Sequence, residues 1–182
     1  RGSNVTGLLR TTLVLLLVAL AGCSSNTPPP APAAKPLPDE RPADFVLAAT
    51  VYSPTAMAEA RLPRSLRGAR YVVEADGALR AAVGPALESK ALPGQVRQLT
   101  PDEFDTLWRI IRESSLLDPQ SVWRVENPEE ITRASDRTTA LIYIACDGQR
   151  TTLRLLLDRS SAESVEAERL IDRLAQWAWV KE

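Results

Sequence analysis

The chain has 182 residues, with 22 lysines and arginines against 23 aspartates and glutamates, and it contains no histidine. This near-neutral balance argues against nucleic acid as a partner, because phosphate neutralisation needs a clustered excess of positive charge. The absence of histidine excludes Ser-His and Cys-His nucleophiles and histidine metal sites, and we expect no metal ion or cofactor.

The N-terminal segment has the pattern of an export signal. An apolar run from Leu13 to Ala21 follows Arg10 and ends in Leu20-Ala21-Gly22-Cys23. Twelve residues between Arg10 and Cys23 are too few for a membrane-spanning helix, which needs about 20, and fit a signal peptide. The four terminal residues resemble the bacterial lipobox. The resemblance implies a signal peptide over residues 1–22, acyl chains on Cys23 and, because Ser24 follows, an outer-membrane protein facing the periplasm.

The next segment is rich in proline. Seven prolines lie between Ser24 and Ala43, with almost no apolar residue besides alanine. Such a segment does not bury enough surface to fold, and its prolines favour an extended conformation. Residues 23–43 are therefore predicted to be a lipidated tether, either a plain spacer or a motif for proline-binding domains at Pro28-Pro29-Pro30. Residues 44–182 are predicted to form a single domain.

The first half of this domain predicts a strand, a hairpin and a helix. Residues 44–52 are typical of a strand, and residues 70–83 hold two apolar runs around Asp76-Gly77, which predict a hairpin with a type I′ turn. Thr100-Pro101-Asp102-Glu103 is a capping box with proline at the first helical position. It predicts a helix with an apolar face made of Phe104, Leu107, Trp108 and Ile111.

A second hairpin and a closing helix follow. If Asp147 and Gly148 form the turn, one side of the sheet pairs Cys146 with Gln149, Ile144 with Thr151, Ile142 with Leu153 and Ala140 with Leu155. The opposite side carries Leu141, Tyr143, Arg150 and Arg154. The last helix is predicted over Ala162 to Ala178, with its apolar stripe at Ala167, Leu170, Ile171, Leu174 and Trp177.

The predicted fold class is α+β. Strand, hairpin, helix, hairpin, helix gives an antiparallel sheet of four to five strands with two helices packed on one face. The order from Tyr71 to Trp177 resembles the emfourin-type metalloprotease inhibitors and related lipoprotein domains. The resemblance is carried by the Asp76-Gly77 hairpin, the helix entry from Leu99 to Glu103 and the closing helix, and it implies inhibition of an exported protease.

Catalytic groups are few in this sequence. Ser89-Lys90 is the one adjacent serine-lysine pair, and it falls in a predicted loop. The carboxylate pairs Glu129-Glu130 and Glu166 with Glu168 need burial to split their pKa values for acid-base work, and their polar neighbours predict solvated charges instead. The sequence therefore predicts a protein that is not an enzyme.

Three groups of residues are candidates for contact with a partner. Arg61, Arg64, Arg67 and Arg70 form either a strip that faces lipid phosphate or an acidic partner, or a solvated linker. Tyr143, Arg150 and Arg154 form either a binding patch or an ordinary exposed sheet face. The connection from Leu117 to Arg137 is long and holds Trp123 and Arg124, residue types that dominate binding hot spots. Equally, it fits a short strand that packs Trp123 inward.

The leading hypothesis is a non-catalytic envelope lipoprotein, anchored in the membrane through Cys23, whose domain binds another envelope protein. One alternative is an inhibitor of an exported protease, and another is a carboxylate-dependent enzyme that acts on an envelope polymer. Cys146 is predicted to be a buried thiol on the apolar face of the sheet, and a redox thiol is its alternative.

Overall fold

The computed structural model describes residues 37–53, 63, 67–84, 92–118, 123–125 and 137–179. The predicted signal peptide, Cys23 and the proline-rich segment up to Pro36 lie outside the described residues. The predicted catalytic candidates Ser89-Lys90 and Glu129-Glu130 also lie outside them.

The described chain forms one sheet and two helices, which confirms the α+β fold class. The strands are β1 (Val46–Tyr52), β2 (Ala69–Val73), β3 (Ala78–Val83), β4 (Gln95–Gln98), β5 (Thr139–Cys146) and β6 (Gln149–Leu156). The helices are α1 (Pro101–Glu113) and α2 (Ala162–Ala178), and a 3₁₀ turn over Ser115–Leu117 follows α1. The sheet has six strands, not four to five. The additional strand is β4, whose four residues have no alternation of apolar and polar side chains.

The sheet is antiparallel throughout, in the order β4-β3-β2-β1-β5-β6. The register of the second hairpin is the predicted one, with Cys146 opposite Gln149 and Ile142 opposite Leu153. Asp147 and Gly148 have φ angles of 50° and 71°, so both turn residues are in the left-handed region that a type I′ turn requires. The local turn sequence therefore determined this register.

The first hairpin has a different turn from the predicted type I′. Gly77 has a φ angle of 83°, whereas Asp76 is not in the left-handed region. The Gly77 N–H donates to the Glu74 carbonyl at 2.9 Å, and the Glu74 N–H donates to the Ala78 carbonyl at 3.0 Å. This is a type I turn followed by a glycine bulge. The Asp76 carboxylate accepts the Ala78 N–H at 2.9 Å and stabilises it.

Replacing Gly77 with alanine is expected to destabilise the domain more than replacing Gly148. An alanine Cβ at Gly77 would lie 3.2 Å from Gln98 Nε2 and 3.4 Å from Phe104 Cδ1, whereas at Gly148 it would meet no atom within 4 Å. Both substitutions put alanine at a positive φ, which costs about 1 kcal/mol, and Gly77→Ala adds a steric contact to this cost. Denaturant titration is expected to show Gly77→Ala as the less stable variant. Equal stability of the two variants would contradict the crowding at Gly77.

The core lies between one face of the sheet and the two helices. The apolar faces predicted for α1 and α2 are buried, and they join the inward residues of the sheet in a single cluster. The Thr100 capping box is formed in both directions, with the Thr100 side chain accepting the Glu103 N–H and Glu103 accepting the Thr100 N–H. This cap sets the start of α1 and so places Phe104 and Trp108 against Phe45. The centroid of the Phe45 ring is 5.6 Å from that of Phe104 and 5.2 Å from that of Trp108.

The residues just before β1 are held on α1. Arg41 pairs with Asp105 at 2.9 Å and lies over the Phe104 ring at 3.9 Å, while Asp39 accepts from Arg112 at 2.8 Å. The sequence places residues 37–43 in the predicted tether. Their partners Asp105 and Arg112 lie 64 and 73 residues later in the chain, so local sequence patterns do not reveal these contacts. Contacts with α1 are therefore made by residues that precede Asp44, the predicted start of the domain.

Asp44 connects this segment to the second hairpin. Its two carboxylate oxygens accept the N–H groups of Asp147 at 2.8 Å and Gly148 at 2.7 Å. These hydrogen bonds hold the pKa of Asp44 below its usual range, and the bond from Gly148 has the largest effect. Because the folded pKa is lowered, the stabilisation is present above the unfolded pKa and is lost as the pH falls through the folded value.

We therefore expect Asp44→Asn to reduce the acid sensitivity of the domain. An amide keeps one oxygen acceptor but has no charge to lose, so the variant should be less stable than the parent near pH 7 and should lose less stability below about pH 4. Urea titrations at a series of pH values measure this difference. Asp172→Asn, which removes a carboxylate from α2, is the control. An unchanged pH profile for Asp44→Asn would contradict the role of these hydrogen bonds.

Candidate functional site

The two described helices leave one face of the sheet uncovered. Leu47, Ala49 and Val51 of β1 are fully buried under the helices, so the alternate residues of the strand point to the other side. We call this other side the open face. Its centre is formed by Ala48 and Thr50 of β1, which pair with Tyr143 and Leu141 of β5; we call these four residues the floor. The floor is half-buried and mostly small or apolar.

Arginines flank the floor on both sides. Arg70 of β2 lies opposite Thr50, and Arg154 of β6 lies opposite Leu141, so Arg70 and Arg154 end a single row across four strands. Arg150 lies on the same flank as Arg154. Among the described residues none of these three arginines takes part in a salt bridge, whereas Arg80 of β3 pairs with Glu74 at 2.8 Å. Within the described residues, these three arginines of the open face therefore have no carboxylate partner.

The two layers of the fold differ in charge. The six strands contain five arginines and no acidic residue. Each helix contains four acidic and two basic residues. A chain with a formal net charge of −1 thus has a positive sheet and a negative helix layer. Arg97 pairs with Glu103 of α1 at 2.7 Å, so the other four strand arginines give the domain a basic face that the total charge conceals.

Trp123 and Arg124 lie beside the edge of the sheet. The Trp123 carbonyl accepts the Arg154 N–H and the Val125 N–H donates to the Thr152 carbonyl, both at 2.9 Å, so residues 123–125 pair with β6. Trp123 is half-buried and packs against the core. The Arg124 guanidinium donates to the carbonyls of Leu117 and Asp118, each at 3.2 Å. The segment has the geometry of the short strand that its sequence allows, and it places Trp123 next to Arg154.

The predicted arginine strip is only partly described. Arg70 lies on the open face, and Arg67 is exposed two residues before β2. Arg61 and Arg64 lie outside the described residues. The structure thus brings Arg70 together with Tyr143, Arg150 and Arg154, which the sequence treated as a separate group.

The carboxylates of α2 have structural partners. Glu166 accepts both the N–H and the hydroxyl of Ser115, at 2.8 and 2.7 Å, and so joins α2 to the 3₁₀ turn. Glu168 was expected to be solvated, but its side chain is only 7% exposed and accepts two hydrogen bonds from Arg159 at 2.7 Å. The expectation failed because Arg159 reaches it from the loop before α2, a contact that the neighbours of Glu168 in sequence do not reveal.

Cys146 is buried, as predicted, with 3% of its surface exposed. Burial first, and then the negative charges of Asp44 and Asp147, raise the pKa of its thiol. The thiol is therefore the stable form at neutral pH, which opposes the thiolate chemistry of a redox site.

Two clefts lie on the helix layer. The larger, about 660 Å³, lies between residues 39–41 and α1, and the ion pairs Arg41–Asp105 and Asp39–Arg112 cross it. The smaller, about 410 Å³, lies between α1 and α2. Within the described ranges no group of three or more metal-ligating side chains occurs, and no described helix is long and apolar enough to cross a membrane.

Sequence reasoning missed one feature of this site, which is the uniform charge of the strands. The signal was present, since the charged residues within each strand are arginines, but strand limits were needed to see it. Comparisons with protein-family models, with curated proteins and with solved structures give no match.

Proposed function

We propose that this protein is a lipid-anchored envelope protein of bacteria and that its α+β domain binds another envelope protein through the open face. The lipid on Cys23 would hold it in the outer membrane, and the proline-rich segment would separate the domain from the bilayer. The domain acts by binding and performs no catalysis.

One observation carries the proposal. Tyr143, Arg150, Arg154 and Arg70 lie on a face that the two described helices leave uncovered, and no described residue neutralises the three arginines. Tyrosine and arginine are the residue types that contribute most to protein interfaces, since each combines a large contact area with a polar group. The sheet, about 24 Å wide and 24 Å long, offers roughly 600 Å², close to one partner's share of a small specific interface.

The lipid anchor is tested by replacing Cys23 with serine in the native bacterium. The variant should no longer incorporate labelled palmitate and should leave the membrane fraction, because a serine hydroxyl does not accept the lipid. Ser25→Ala is the control and should retain both properties. Labelled palmitate on the Cys23→Ser protein would contradict the anchor.

The binding face is tested by photo-crosslinking in intact cells. A benzophenone amino acid is placed at Thr152, on the open face, or at Gln176, an exposed position on α2. We expect a protein adduct from Thr152 and none of the same mass from Gln176. Adducts only from Gln176 would move the interface to the helix layer. An adduct from Thr152 that is an exported protease would instead support the inhibitor hypothesis.

A further inference from the structure

The positions of the arginines on the open face limit the chemistry of the partner. The floor runs along β1 and β5, with Arg70 beside it on β2 and Arg150 and Arg154 beside it on β6. Tyr143 stands within the floor, and Val72 of β2, opposite Ala48, is only 7% exposed. Resting on the proposed function, we infer that the open face binds an acidic amphipathic helix of the partner, which lies along the floor between the two arginine flanks.

The width of the floor fits a helix. Arg70 and Arg154 are three strand spacings apart, which is about 14 Å, and an α-helix with its side chains is 10–12 Å across. Ala48 and Thr50 are short enough for a helix to approach the sheet closely. The strands of seven or eight residues are about 24 Å long, so they match about 15 helical residues at 1.5 Å each.

The charge pattern determines which sides of that helix are apolar and which are acidic. Its apolar stripe faces Leu141, Tyr143 and the small residues of the floor. Its two sides face guanidinium groups that have no carboxylate partner within the described chain. Arginine binds carboxylates through two parallel hydrogen bonds, so aspartates or glutamates on both flanks of the helix satisfy the arginines on both sides.

Two other occupants fit less well. A second copy that used the same face would bring arginine against arginine, because a two-fold interface pairs a surface with itself. A bilayer surface offers lipid phosphates but no carboxylates, and the proposed proline-rich tether would hold the domain away from it. An acidic helix satisfies both the charge and the spacing of the arginines.

The test maps the contact at residue level. The benzophenone amino acid replaces Tyr143, which it resembles in shape, in the full lipidated chain in intact cells. The crosslinked peptide is then sequenced by mass spectrometry. We expect contacts in the partner spaced by three or four residues, with aspartate or glutamate beside them. Arg154→Glu should reduce the yield at least tenfold, and changing the facing partner carboxylate to arginine should restore it.

Each other result overturns the inference. Contacts spaced by two residues identify a strand, and a segment without acidic residues, or a yield unchanged in Arg154→Glu, removes the charge argument. A crosslink to lipid or to a second copy of this chain identifies a different occupant. A non-acidic protein segment leaves the proposed function standing, whereas the absence of any protein adduct from both Tyr143 and Thr152 overturns the proposed function as well.

Discussion

Replacing Phe45 with alanine is expected to cost about 3–5 kcal/mol of unfolding free energy. Phe45 is fully buried and contacts both Phe104 and Trp108 of α1, so its loss opens a cavity between the start of β1 and the helix. A typical domain has 5–15 kcal/mol of stability, and the loss should lower the melting temperature by about 10 °C or more.

Thermal and urea unfolding of Phe45→Ala measure this effect. The matched control is Val83→Ala at the end of β3, where the side chain is 47% exposed and truncation should change stability by about 0.5 kcal/mol or less. Similar losses in the two variants would show that Phe45 is not a central residue of the core.

Reversing two charges on the open face should abolish most of the binding to the partner. In Arg150→Glu with Arg154→Glu, two attractive contacts to carboxylates become repulsive, and the affinity should fall about 100-fold, or roughly 2.7 kcal/mol. Both side chains are exposed and unpaired among the described residues, so the fold should tolerate the change. The loss should shrink as salt is added, because exposed charges are screened over about 8 Å at physiological ionic strength.

The control separates position from total charge. Arg109→Glu with Arg169→Glu changes the net charge by the same amount, but these arginines are exposed on α1 and α2. Titration of the purified crosslinked partner against both double variants gives the comparison. If the helix-layer variant loses as much affinity as the open-face variant, the loss is caused by the change in net charge and not by the position of the arginines on the open face.

Local sequence signals predicted the elements where the interactions are local. The capping box at Thr100 and the turn at Asp147-Gly148 depend on residues within four positions of each other, and the structure confirms both. The strand β4 was not predicted, because its pairing with β3 depends on distant residues and its own sequence is short and polar. The first turn differed for a related reason, since Asp-Gly fits both turn types and only Gly77 takes a positive φ.

Part of the candidate site follows from local sequence patterns and part only from the order of the strands. The alternation of residues along β5 and β6 is enough to place Tyr143, Arg150 and Arg154 on one side of the sheet. Arg70 joined them only through the strand order β2-β1-β5-β6, which places it in the same row as a residue 84 positions later. The placement of residues 37–43 likewise depends on ion pairs with α1 that local sequence patterns do not indicate.

The sequence by itself determined most of the secondary structure, the register of the second hairpin and the α+β class, because periodicity, capping and turn residues act over a few positions. Only the tertiary structure decided which charges share a face. The arginines lie within the strands already in the sequence, but the strand order is what brings Arg70 into one row with Arg154. The reason is that strand order and layer packing are set by contacts between distant residues, which put both described helices on one face of the sheet and arginines on the other.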